Sequence, residues 1–250
     1  MRIIGNHRRA LVLAVSLVCF APIGANAQEA ALSARAETFP VLLVPGWRDR
    51  ASELAPIRAR LLEEGWPSEF VSGVTFQDPI GSNELNAFQI ARAVDAIRTR
   101  TGATQVDIVA HSMGGLAVRE YMRSQGGDGR IRRAVFLGTP HRGTVTAALA
   151  WGDGGREMVP GSAFLDRLNG ESVGLPIEIL AIRTPVDLNV IPSSSAMLPG
   201  ARNVEVCCPS HHGLLSDSQT LDEVLAFLLH GSENPSTPDD SIPLKTEPAW

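Results

Sequence analysis

The stretch Gln105-Val-Asp-Ile-Val-Ala-His-Ser-Met-Gly-Gly-Leu-Ala-Val118 decides the fold. Val106 to Ala110 reads as a short strand, and Gly114 to Arg123 continues as a helix. Between them Ser112 stands at the apex of a tight turn. Small residues flank it at Ala110 and Gly114, where bulkier side chains would collide with neighbouring backbone. Such a turn presents the hydroxyl at the edge of the sheet. It also places it at a helix N-terminus, whose unpaired N–H groups favour developing negative charge. Taken alone, Ser112 would serve equally well as a plain helix N-cap.

Outward from this turn the chain alternates strands and helices. Pro40 to Pro45 reads as a strand buried on both faces, Ala51 to Glu64 as a helix, and Glu69 to Phe76 as a second strand. Asn86 to Thr101 reads as a long helix, with Phe88, Ile90, Ala91, Val94 and Ile97 facing inward and Gly102 stopping it. Ile131 to Leu137, Ile177 to Ile182 and Asn203 to Cys207 read as further strands, and Leu221 to Leu229 as a closing helix. Strands separated by helices imply an α/β fold with a mostly parallel sheet of about six strands and helices on both faces. Ligands of such sheets sit beyond the carboxyl ends of the strands. Residues 141–175, interrupted by Gly143, Gly152, Gly154, Gly155 and Gly161, break the rhythm and read as an insertion at the rim.

A serine nucleophile needs a general base, and the base needs an orienting carboxylate. The paired histidines His211 and His212 directly follow the last strand. His141 follows the fourth, His111 shares the turn of Ser112, and His230 ends the last helix. Asp187 lies just past the fifth strand, after Pro185, where a turn aspartate would also be at home, whereas Asp217 and Asp222 read as helix-start residues. Ser112, Asp187 and the histidine pair thus each follow a strand end, in the chain order serine, acid, histidine. Two N–H groups are required for an oxyanion. Met113 follows the serine, and Trp47 follows the close-approach glycine in Val44-Pro-Gly-Trp47, although Pro-Gly is also a simple turn signal.

Composition narrows the function classes. The 250 residues carry a formal net charge of −5 and are 44% hydrophobic. The first 27 residues hold three arginines and no acids, so the remainder is more acidic still and offers no attraction to nucleic acid or anionic membranes. Arg2, Arg8 and Arg9, the apolar run Ala10 to Phe20, and Ala25-Asn-Ala27 follow one another in the order of an export signal. Residues 1–27 are therefore expected to be removed from an exported protein, with 28–38 a linker, 39–230 the folded domain and 231–250 a disordered tail. No later stretch is long and apolar enough for a transmembrane helix, and a monomer is expected. Cys207 and Cys208, adjacent in sequence, are expected to be two separate thiols, because neighbours on a strand point to opposite faces. No zinc-type spacing or calcium loop is present, so neither a metal nor another cofactor is expected.

With these residues in place, the chain resembles the small secreted bacterial lipases and esterases of the α/β-hydrolase superfamily. The resemblance runs from about Pro40 to Leu229 and rests on Val41-Leu-Leu-Val-Pro-Gly-Trp47, Thr101 to Gly115, Leu137-Gly-Thr-Pro-His-Arg-Gly143, Asp187, and the passage from Ala201 to His211-His-Gly-Leu-Leu215. It departs from many members at Pro45, where they have histidine. In the family a spacer residue separates the histidine from Gly-Leu-Leu, which assigns the base to His211 and makes His212 the spacer. The resemblance implies an α/β-hydrolase fold and ester or lipid substrates without a catalytic metal. It further implies a serine hydrolase with Ser112, Asp187 and His211 as catalytic residues and Met113 and Trp47 as oxyanion donors. Alternatives are a polyester depolymerase resembling cutinases, or a hydrolase-fold binding module with a dead site.

Overall fold

In the computed structural model, which describes residues 38–170 and 177–231, six strands pair in the order β2-β1-β3-β4-β5-β6. They are β1 (Val41–Val44), β2 (Val71–Gly73), β3 (Val106–His111), β4 (Ile131–Leu137), β5 (Glu178–Arg183) and β6 (Arg202–Glu205). Every neighbouring pair is parallel. Each strand must therefore be reached by a crossover. The expected export signal, nearly all of the linker and nearly all of the tail lie outside the described residues.

Alternation along the strands divides the core between two faces. Leu42 and Val44 of β1 pack with Ile108, Ala110, Ala134 and Phe136 on one side. Val41 and Leu43 join Val109, Val135 and Leu137 on the other. The first side is covered by α2 (Asn83–Thr101) and α3 (Met113–Ser124), the second by α1 (Ala55–Glu63) and α6 (Ser218–His230). Covered on both faces, β1 and β3 are buried throughout, and the four residues of β1 are all aliphatic. Each aliphatic side chain so buried contributes about 1.5–3 kcal/mol of transfer free energy. Asp107 is the charged residue of β3, and Arg132 of β4 meets its carboxylate with two nitrogens. Burial raises the Asp107 carboxyl above the ordinary aspartate range, against the pull of Arg132.

Several expectations are modified. The second strand shrinks to Val71–Gly73, because Ser68–Phe70 forms a 3-10 turn before it. The long helix starts at Asn83, with the Ser82 hydroxyl accepting from the Glu84 N–H, and ends at Gly102 with φ 74°. Phe88 is not inward but 51% exposed. The buried stripe is Ala87, Ile90, Val94 and Ile97, and a residue two places before Ile90 lies about 200° round the helix. Asp217 caps α6 through the Thr220 N–H, whereas Asp222 lies within the helix and pairs with Arg60.

The two-thiol expectation for Cys207 and Cys208 is overturned. Their peptide bond is cis, the Cα atoms are 3.0 Å apart, and the sulphurs are joined as a disulfide. Strand alternation presumes trans, extended backbone, and β6 has already ended at Glu205.

The segment after β4 carries the 3-10 turn Val145–Leu149, α4 (Gly152–Glu157) and α5 (Ala163–Gly170). Phe164, Leu165 and Leu168 of α5 pack with Met158 and Ala147 onto Met113 and Leu116 at the start of α3, with Trp47 half-buried against them. The segment thus roofs the start of α3, directly after Ser112. Residues 171–176 lie outside the described residues.

Candidate active site

The backbone of Ser112 is the unusual feature at the end of β3. Its φ of 52° and ψ of −131° fall in the left-handed half of conformational space, which a non-glycine residue adopts only where its surroundings enforce it. The Ser112 N–H donates to the Leu137 carbonyl of β4 and its carbonyl accepts from Gly115, so the turn is held on both sides. Its side chain makes no capping bond to α3, which removes the plain N-cap as its reason for being there. A Cβ on Gly114 would collide with the Pro45 carbonyl, and one on Gly46 would lie 2.9 Å from the Ser112 Cβ. The turn after β3 and the loop after β1 are therefore in direct contact, and only glycine lets them meet. Gly114→Val should destabilise the fold by about 2–4 kcal/mol through overpacking against rigid backbone, measured as a fall in the urea midpoint at unchanged slope.

β5 leads to Asp187 and β6 to His211, both buried. His211 Nδ1 lies 2.7 Å from Asp187 Oδ2. Asp187 Oδ1 accepts the N–H groups of Asn189 and Val190, each at 2.8 Å, which fixes the carboxylate plane. Burial tends to raise the Asp187 carboxyl, but His211 and these two amides outweigh it and hold it below the ordinary aspartate range. Ser112 and His211 line one cleft of about 340 Å³, together with Trp47, Met158, Ala147, Trp151, Leu149, Leu188 and Val190. Met113 is the first residue of α3, where helical N–H groups have no intrahelical partner. Trp47 lies in the turn after β1, its indole N–H donating to the Trp151 carbonyl and the Arg48 guanidinium over the rings of both.

The remaining histidines separate by their surroundings. His212 points away from Asp187, its side chain 54% exposed. His141 is buried against Phe136, and burial together with Arg119 and Arg142 pushes its pKa well below the usual histidine value. His111 is fully buried, its ring tilted at 44° against the His211 ring with centroids 4.6 Å apart, and its Nε2 3.3 Å from the His211 carbonyl oxygen. Burial pushes it down to about 4, despite Asp49, so the ring is neutral at neutral pH. Asp49, unremarked in the sequence, faces both His111 and His212. Burial works against its ionisation, but the two histidines lower its pKa overall.

The family model of the class 2 lipases matches residues 38–161, which includes β1, the glycine-bearing loop and the Ser112 turn. Among solved structures, lipase B of Aspergillus fumigatus aligns at a TM-score of 0.69 with 20% identity over 82% of this chain; the chain spans only 56% of that enzyme. The mature lipase BlEst2 of Bacillus licheniformis aligns at 0.68 with 16% identity, over 77% of this chain and 92% of the other. An esterase of Rhodococcus, RhEst1, aligns at 0.53 with 15% identity, covering 76% and 90%. Such identities speak to the fold. With the parallel sheet and the strand–turn–helix at Ser112, they show that this chain has the α/β-hydrolase fold, and over residues 38–161 it is similar to the class 2 lipases.

Proposed function

We propose that the protein is an exported serine hydrolase that cleaves carboxylic esters with apolar acyl groups. The observation that carries the reading is the 2.7 Å contact of His211 Nδ1 with Asp187, beside the cleft that Ser112 and His211 share. In this reading Ser112 Oγ attacks the ester carbonyl and passes its proton to His211 Nε2. The carbonyl π electrons move onto oxygen, where the N–H groups of Met113 and Trp47 donate to it. The tetrahedral adduct collapses, and the leaving alkoxide takes the proton from His211. Water, deprotonated by His211, then attacks the acyl-serine and releases the carboxylic acid and Ser112. Asp187 holds the Nδ1–H tautomer throughout and stabilises the transient imidazolium.

The rim supports a water-insoluble substrate. Leu149 and Leu188 line the cleft while 86% and 79% exposed, and Trp151 beside them is 54% exposed. Apolar side chains clustered at the mouth of a cleft mark a surface made to meet something apolar. Among the described residues no helix is long and apolar enough to cross a membrane, so the contact would be peripheral. Export, read from residues 1–27, places the substrate outside the cytoplasm in this proposal.

The test is labelling with a fluorophosphonate probe followed by peptide mass spectrometry. A single adduct on Ser112 is the expected result, and a folded protein that takes no label overturns the reading. For the rim, the double change of Leu149 and Leu188 to Asp should lower hydrolysis of emulsified triacylglycerol roughly tenfold or more, the loss of about 1.4 kcal/mol of apolar contact, relative to dissolved p-nitrophenyl acetate. An equal fall on both substrates would place these residues in the chemistry rather than in surface contact. Clearing of a polyester film, with no activity on triacylglycerol, would move the substrate to polymers.

A further inference from the structure

Next to the proposed catalytic groups lies a second constellation that the ester chemistry does not use. Asp49 belongs to the loop after β1, His111 is the last residue of β3, and His212 opens the short 3-10 turn after β6. These loops are far apart in sequence, yet one ligand atom from each lies within 4.8 Å of the other two. Asp49 Oδ2 is 3.4 Å from His111 Nδ1 and 3.5 Å from His212 Nε2. Both separations are long for hydrogen bonds. They match the spacing, about 3.3–3.4 Å, between ligand atoms placed tetrahedrally at ~2.0–2.1 Å around a zinc ion.

The buried ring of His111 supplies an independent argument. Its Nε2 faces the His211 carbonyl oxygen, which can only accept, so that nitrogen is the one to carry the proton. Nδ1 then presents a lone pair, has no hydrogen-bond partner among the described residues, and is aimed at the Asp49 carboxylate, itself only an acceptor. Moving the proton to Nδ1 merely transfers the mismatch to the carbonyl. A neutral imidazole between two acceptors always leaves one of them facing a lone pair. A cation bound to Nδ1 removes the conflict. A histidine that gives its N–H to a backbone carbonyl and its other nitrogen to a metal is the usual arrangement around protein-bound zinc.

We propose that Asp49, His111 and His212 bind one divalent transition-metal ion of the zinc class. Two imidazole nitrogens and one carboxylate oxygen favour such an ion over calcium or magnesium, which take mainly oxygen. The half-exposed His212 has room to close the longest edge of the triangle, and a water would complete the tetrahedron. Such an ion ties together the loop of Trp47, the turn of Ser112 and the loop of His211. It fastens the site rather than entering the reaction, and it stands or falls independently of the ester reading.

The test uses tag-free mature protein, stripped with chelator and dialysed. Zinc titrated by calorimetry should bind with one equivalent. Free zinc at a hundredfold excess over its Kd should raise Tm by roughly 5–10 °C. Cobalt should give the absorption of a four-coordinate site. Asp49→Asn, at a partly buried position, and His212→Ala, at an exposed one, both checked for folding by circular dichroism, should each weaken zinc binding about a hundredfold. His230→Ala, on a histidine remote in sequence and exposed, should bind zinc like the parent. Absence of binding at about 0.1 mM zinc, far above the Kd of a three-ligand site, overturns the proposal. So does binding that either Asp49→Asn or His212→Ala leaves intact.

Discussion

Ser112→Ala loses ester hydrolysis by roughly four to six orders of magnitude while the protein stays folded, the expected result for the nucleophile of a serine, histidine and acid constellation. The large loss follows from removing the atom that would form the covalent bond, with no neighbour able to replace it. The preserved fold follows from the structure. The Ser112 side chain caps nothing, and the hydrogen bonds that hold the turn are made by its backbone, which alanine retains. Initial rates on a p-nitrophenyl ester, read beside a thermal melt, check both halves of the expectation. Near-parental turnover by a folded Ser112→Ala protein would refute the assignment of the whole site.

The second large effect distinguishes two adjacent histidines. His211→Ala should fall by a similar four or more orders of magnitude, because base and nucleophile act as a unit and their losses are not additive. His212→Ala should fall far less, within about tenfold, since its exposed ring faces Asp49 rather than Asp187. Matched rates for the two chelator-treated variants decide the question. The reverse order would shift the base by one residue, and equal mild losses would remove both. His141 is a poor substitute, with neither ring nitrogen partnered among the described residues and no carboxylate to orient it.

Much of this architecture was legible in the sequence because its signals are local. Strands buried on both faces are rich in aliphatic residues, so β1 could be read directly and β3 despite its Asp107. A small residue on either side of a serine, between strand and helix, described the Ser112 turn. That Asp187 and the histidine pair lie on one side of the sheet could be read because parallel strands all end there, whereas the choice of His211 over His212 came from the resemblance, and the structure sets His211 2.7 Å from Asp187. Phe88 misled because a single aromatic looks like core in any short window, and only the full stripe of Ala87, Ile90, Val94 and Ile97 shows which face turns inward. The cysteine pair was hidden by a peptide geometry that sequence does not report. The grouping of Asp49, His111 and His212 escaped for a different reason. Metal-type spacing is sought along the chain, whereas these three ligands meet only because β1, β3 and β6 end on the same side. The usable signal was Asp49 itself, an acid three residues beyond the glycine of a loop already expected to touch the nucleophile.

The brevity of the two outermost strands has a consequence for the behaviour of the protein in concentrated solution. β2 spans three residues and β6 four, and β6 sets Arg202 and Glu205 in ion pairs with Glu223 and Arg183. A sheet edge is a template for strand addition only if it offers a long, flat row of unpaired backbone groups. These edges offer little of that, and charged side chains flank what remains. Aggregation of the native protein by growth of the sheet is therefore disfavoured on both sides. Any self-association at high protein concentration should begin at the apolar mouth formed by Leu149, Trp151 and Leu188, and a short-chain detergent that covers that mouth should reverse it.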